Sequence, residues 1–133
     1  MVVVRAAAVV VVVAVAAAVV VVVVTITDPL SAQVHTDPLG TAAWNAVTHG
    51  VKRWVLFEPS TPKRIAPCRI YRPGEDTEAI MYFDFLLPRL KEAYPDVRCY
   101  EGLQHPGDLI FVPGDWWHGV LNLEDCVAVT QNY

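Results

Sequence analysis

Beyond Asp96 the chain falls into short apolar runs, "VRCYEGL", "DLIFVP", "WHGVLNL" and "CVAVTQNY", parted by Pro106-Gly107, Pro113-Gly114 and Glu124-Asp125. Runs of this length, rich in β-branched and aromatic residues and bounded by turn formers, are strands rather than helices. Two more strand-like runs, "AAWNAVT" and "KRWVLFEP", lie earlier, and His49-Gly50-Val51 between them reads as a short hairpin connection with glycine available for positive φ. Residues 60–76, with Pro62, Pro67, Pro73 and Gly74, read as a loop. Asp76 or Thr77 then caps a helical insert near 77–94, "EAIMYFDFLLPRLKEAY", which Pro88 divides in two. Many short strands with one helical insert predict a mainly β protein, a small sandwich or barrel. No internal repeat is visible.

At 133 residues the chain is one domain or a fragment of one. A net charge of -4 with scattered cations excludes a phosphate-binding surface as its main purpose. Cys68, Cys99 and Cys126 form no C-x-x-C pair and are odd in number, which points away from a zinc site or a disulfide framework and toward a reducing compartment.

Residues 2–24 are Val and Ala except for Arg5. The uninterrupted stretch 6–24 is long enough for a membrane anchor, and too long for a signal peptide, whose apolar region runs about 7–15 residues. A buried β region, favoured by valine, and a low-complexity segment without designed structure are the competing readings. Such a run has no alternation to specify a strand register. The expectation is therefore that residues 1–24 stand outside the barrel, and that deleting 2–24 improves solubility without lowering activity.

The chemistry begins with strand parity. His35 and Asp37 are two apart, so in an extended segment both side chains leave one face. His118 follows the tight turn of "PGDWWHGVLNL" at the start of an apolar strand. Two histidines and one carboxylate on a rigid β scaffold are the donor set of non-haem Fe(II) oxygenases, with three positions left for co-substrate and O2. His35 with Asp37 also fits a carboxylate orienting an imidazole in a structural network. His49 and His105, both beside turns, read as ordinary hydrogen-bonded histidines. Trp44, Trp54, Trp116 and Trp117 read as core and rim packing, and Asp115 as a turn residue.

Lys52 shares a strand face with Trp54 and Leu56, and a buried ammonium requires an anion, whereas a surface lysine would merely snorkel. Asn45 lies across the expected hairpin. Thr130 and Asn132 share parity with each other and with His118, so hydroxyl and amide groups are expected on the same side of the sheet. A cation, two amides and a hydroxyl around a metal triad suit a small dicarboxylate.

"HTDPLGTAAWNAVTHGVKRWVLFEPSTP" and "HPGDLIFVPGDWWHGVLNLEDCVAVTQNY" closely resemble the JmjC-domain Fe(II)/2-oxoglutarate oxygenases, most of all their bifunctional arginine demethylase and lysyl hydroxylase group. The resemblance spans roughly residues 28–133. It implies a double-stranded β-helix, a jelly-roll or cupin-like JmjC core that is truncated here. It further implies His35, Asp37 and His118 as iron ligands, with Asn45, Lys52, Thr130 and Asn132 around 2-oxoglutarate.

The implied activity is dioxygenation: 2-oxoglutarate is decarboxylated to succinate and CO2 while oxygen from O2 enters a protein substrate. On lysine the outcome is hydroxylysine; on a methylated arginine it is loss of the methyl group as formaldehyde. RNA-associated partners and a nuclear or cytoplasmic location come with the resemblance, and a membrane location with the anchor reading.

Departures from the family pattern are Ala32 where a hydroxyl residue is usual, with Ser31 as a substitute, and the Val/Ala run in place of the family's earlier strands. Helices that follow the barrel in the family are also missing. A non-catalytic cupin-like binding module is the alternative reading. Ordinary cupins fit less well, because their first motif is H-x-H and this one is H-x-D.

Overall fold

A computed structural model describes residues 3–5, 22–26, 32–67, 72–75 and 78–133. Within these, two antiparallel sheets face each other. One contains β3 (Ala32–His35), β5 (Lys52–Phe57), β6 (Cys99–Gln104) and β8 (Trp117–Asn122), in the order β3-β8-β5-β6. The other contains β1 (Val3–Arg5), β2 (Val22–Ile26), β4 (Ala43–His49), β7 (Asp108–Val112) and β9 (Cys126–Asn132), in the order β1-β7-β4-β9-β2. Such a pair of facing sheets, with the chain passing between them, is the expected double-stranded β-helix arrangement. The later strands match the apolar runs closely, because each Pro-Gly or Glu-Asp step ends one strand before the next begins.

The expected hairpin between residues 43 and 57 does not form. β4 and β5 belong to different sheets, so His49-Gly50-Val51 is a crossing. Gly50 has φ +78°, and a side chain there would run into the carbonyl of Asp125, where the other crossing, between β8 and β9, passes beside it. A tight turn signal and a tight sheet-to-sheet corner need the same residue, which is why the sequence did not separate them.

β5 explains why "KRWVLF" lacks alternation. Val55 and Phe57 face a cluster with Val34, Leu121 and the helical residues Phe83, Leu86, Leu87 and Leu90. Trp54 and Leu56 face Ala43, Ile110 and Val112 of the opposite sheet. A strand covered on both faces is apolar on both.

The helical insert runs through α1 (Ala79–Met81), a π-helical stretch over Tyr82–Leu86 and α2 (Leu87–Ala93). Pro88 does not split it. It stands in the first turn of α2, where its missing N–H is tolerated, and the Leu87 N–H bonds back to the Tyr82 carbonyl in the wider π register. Glu78 occupies the N-cap position without a side-chain cap, its carbonyl accepting from the Tyr82 N–H, and the two residues expected to cap the insert, Asp76 or Thr77, lie outside the described residues.

Glu101 on β6 ties the insert down through Lys91 of α2 and through Arg53, whose guanidinium lies 5.2 Å above the Phe83 ring. Burial pushes the Glu101 carboxyl up, but hydrogen bonds from Lys91 and Arg53 outweigh it and hold the group below its ordinary value of 4.5. A depressed folded-state pKa means stability that is full above about pH 4.5 and lost as pH falls through the lower folded value. Thermal melts between pH 3 and 6 are expected to show a shallower acid-side loss for Glu101→Gln than for the native chain. Equal slopes would contradict this.

The expectation that residues 1–24 stand outside the barrel is corrected at two places. Val3–Arg5 pairs antiparallel with β7, and Val22–Ile26 pairs with β9, Val22 lying opposite Thr130. Valine suits strands, and both segments occupy sheet edges whose N–H and C=O groups would otherwise be open. The claim that deleting 2–24 spares the site loses its basis there, because β2 borders the strand that carries Thr130. The rest of the Val/Ala run, the anchor reading over 6–24 included, lies outside the described residues. Among the described residues no helix is long and apolar enough to cross a membrane.

Candidate metal centre and co-substrate pocket

β3 ends on His35, and Asp37 follows in extended backbone (φ −65°, ψ 149°) before Pro38 begins a turn. His35 pairs directly with His118 on β8, with ring centroids 4.4 Å apart. Asp37 Oδ1 lies 3.8 Å from Nε2 of each histidine. One ligand atom from each residue lies within 4.8 Å of the others. The three residues singled out by spacing therefore converge.

The tautomers follow from the outer contacts. His35 Nδ1 lies 2.7 Å from the Gln33 carbonyl oxygen, and His118 Nδ1 lies 3.0 Å from that of Trp116. A carbonyl oxygen only accepts, so each Nδ1 carries the proton and each Nε2 presents a lone pair to Asp37. Burial pushes the His118 imidazole below its ordinary value, His35 reinforcing and the Trp116 carbonyl and Asp37 opposing, and the net effect favours the neutral, ligand form. Asp37 Oδ2 is buried without a hydrogen-bond partner. Two imidazole lone pairs and a carboxylate with an unmet oxygen form a donor set that fits a divalent cation. Their backbone-anchored Nδ1 atoms are the support that metal-bound histidines need.

The second group lies between the sheets. Lys52 is buried on the Trp54–Leu56 face, and its ammonium donates to Asn122 Oδ1 at 2.7 Å. Burial pushes Lys52 below its ordinary pKa, with Cys126 acting in the opposite sense. An amide oxygen satisfies one of its donors but supplies no charge. Asn45 pairs with Ile110 on one side and Thr130 on the other, so all three share the face turned toward β5. Gln104, the strand partner of Lys52, joins the two sheets: its amide donates to the Asn45 and Asp108 carbonyls and its oxygen accepts from Trp54 Nε1. Asn45 Oδ1 is buried without a partner, while Thr130 Oγ1 donates to the Trp44 carbonyl.

Asn132 stands apart from this group. It is exposed at the sheet end and donates to Thr41 Oγ1. It pairs with Ala43 and so shares with Thr130 the face turned toward β5, as the parity reading expected; what sets it apart is its exposed place at the end of β9. His49 and His105 are exposed, as expected of ordinary histidines, and Asp115 is a turn residue with φ 62°. Ser31 lies outside the described residues. Asn122 and Gln104 escaped sequence reading. Asn122 had a usable signal, since it lies on the His118 strand with the same parity and a buried lysine needs an acceptor.

Two facing antiparallel sheets that hold two histidines and one carboxylate at one end define a cupin-type metal-site protein. The chain belongs to the JmjC domain, hydroxylase family, whose model matches residues 26–133. It is 39% identical over 106 residues to the bifunctional arginine demethylase and lysyl-hydroxylase psr-1 of Caenorhabditis elegans, covering 75% of this chain and 26% of that protein. It is 36% identical over 104 residues to the arginine-specific demethylase JMJ22 of Arabidopsis thaliana, covering 74% and 20%. Against the human 2-oxoglutarate and iron-dependent oxygenase JMJD4 it is 29% identical over 99 residues, covering 74% and 23%. The chain thus spans about a quarter of the length of these relatives.

Proposed function

We propose that the chain carries the active-site core of an Fe(II)- and 2-oxoglutarate-dependent dioxygenase that hydroxylates protein side chains, by lysyl hydroxylation, methylarginine demethylation or both. The observation that carries this reading is the buried Asp37 Oδ2, unpartnered beside two imidazoles whose Nδ1 atoms are already engaged. Burying such a group is costly without a cation, which counts against a module that no longer holds a metal. The names of the relatives, which include lysyl-hydroxylase, arginine demethylase and iron-dependent oxygenase, agree with it.

His35, Asp37 and His118 would hold Fe(II), which with 2-oxoglutarate and O2 supplies the oxidative decarboxylation that drives hydroxylation. The backbone carbonyls of Gln33 and Trp116 keep both imidazoles in the ligating tautomer. Lys52 would pair with a carboxylate of 2-oxoglutarate, which would give the buried ammonium the anion that Asn122 does not provide. Asn45 and Thr130 would orient it from the opposite sheet, and Trp54 with Leu56 would keep that side dry. A hydroxyl placed on a lysine carbon is stable. On an N-methyl group it gives a hemiaminal that collapses to formaldehyde, so one site serves both outcomes.

The test is succinate release from 2-oxoglutarate by the purified chain supplied with Fe(II) and O2, without any protein substrate. Slow release that stops on metal chelation is expected. Release at the level of free Fe(II) would count against the reading.

A further inference from the structure

His35, His118, Leu56 and Tyr100 form one row across the four-stranded sheet, each paired directly with the next. Directly paired residues leave the same face, so Tyr100 stands on the face that carries the metal ligands. A second row on this face, Asn122–Lys52–Gln104, lies about 13 Å away along the strands at roughly 3.3 Å per residue. If 2-oxoglutarate lies between the two rows, a protein side chain must reach the metal from the opposite side of the first row. The residues on that side are Asp37, which follows β3, Trp116, which precedes β8, Glu58, which follows β5, and Arg98, which precedes β6.

These residues form a connected wall. The Tyr100 and Trp116 rings lie 5.6 Å apart, both half-buried against the Ala43–Trp54–Leu56 cluster. The Tyr100 hydroxyl donates to Glu58 Oε1 at 2.9 Å, which holds the carboxylate beside the rings. The Glu58 side chain is about one-third exposed, at 32%, so its carboxylate is open to a further donor. Arg98, itself 77% exposed, already brings a guanidinium nitrogen to 3.6 Å from Glu58 Oε1. The chain therefore supplies its own example of a cation drawn to this corner.

We propose that Glu58, Tyr100 and Trp116 form the subsite that selects a cationic side chain, an ammonium or a guanidinium, at the mouth of the metal site. This rests on the dioxygenase reading and names the residues that choose its substrate. The ring faces attract the cation and its aliphatic stem, and the carboxylate accepts its N–H groups in exchange for the loosely held Arg98. An uncharged side chain of the same length gains only the apolar contact.

The experiment is calorimetric titration of the full chain, loaded with Fe(II) and 2-oxoglutarate without O2, with short peptides that differ at one residue. One pair carries lysine or norleucine, the other dimethylarginine or citrulline. Lysine is expected to bind at least about fivefold more tightly than norleucine, a size set by one cation–aromatic contact and one charged hydrogen bond. Glu58→Gln is expected to reduce the lysine peptide to the norleucine level, and Arg98→Ala to tighten the lysine peptide. The second pair tells whether a guanidinium is taken as readily as an ammonium. Equal binding of charged and uncharged peptides by the native chain, no binding of either, or a preference that survives Glu58→Gln would each overturn the proposal. Succinate release by the same native preparation tests the dioxygenase reading separately. Its absence beside an intact, Glu58-dependent preference would sink that reading and leave the subsite standing.

Discussion

Asp37→Ala removes Fe(II) binding and 2-oxoglutarate turnover together. Asp37 is the carboxylate that both Nε2 atoms face at 3.8 Å, so without it two neutral imidazoles remain and no charge offsets the cation. Loss of a residue that merely supports a metal ligand costs about 10- to 100-fold in affinity, and loss of a ligand itself is expected to exceed that. The fold should survive. Asp37 lies outside the strands, and its buried Oδ2 makes no hydrogen bond that the substitution would break. Circular dichroism with a metal titration checks both halves. Turnover retained at a native level would show that iron is held elsewhere.

Lys52→Ala raises the 2-oxoglutarate requirement by at least about thirtyfold. Truncating one partner of a buried charge pair costs roughly 2–5 kcal/mol. Lys52 is 6% exposed and has Asn122 as its acceptor, so the dicarboxylate would lose its charge partner in a place water does not readily fill. Iron affinity should change little, because Lys52 lies four residues along β5 from Leu56, the strand partner of His118. That contrast separates the two variants: Asp37→Ala fails at the metal, Lys52→Ala at the co-substrate. An unchanged requirement would make the lysine a packing residue only.

The metal cluster was legible because its geometry is local. H-x-D in extended backbone puts two groups on one side whatever the rest of the chain does, and His118 needs only the β3–β8 pairing to join them. The strands from Cys99 onward were legible for a similar reason, each being bounded by its own turn residues. What sequence alone misassigned were relations between segments. The Gly50 corner reads like a hairpin because glycine permits both, and only the sheet order separates them. Pro88 suggested a break, yet the wider π turn before it absorbed the missing N–H. Edge pairing by Val3–Arg5 and Val22–Ile26 had no signal either, since a Val/Ala run fits many registers equally well. The Gln104 bridge and the Glu58–Tyr100–Trp116 corner join residues far apart in sequence through sheet register, which single-sequence patterns do not encode.

The most direct test of the metal assignment is a crystal structure of the chain grown with Mn(II) in place of Fe(II) under air, with the metal located by its anomalous scattering. The account predicts one peak at about 2.0–2.2 Å from His35 Nε2, His118 Nε2 and an Asp37 carboxylate oxygen. A peak bound by other residues, or a site that stays empty while His118 turns away from His35, would contradict it.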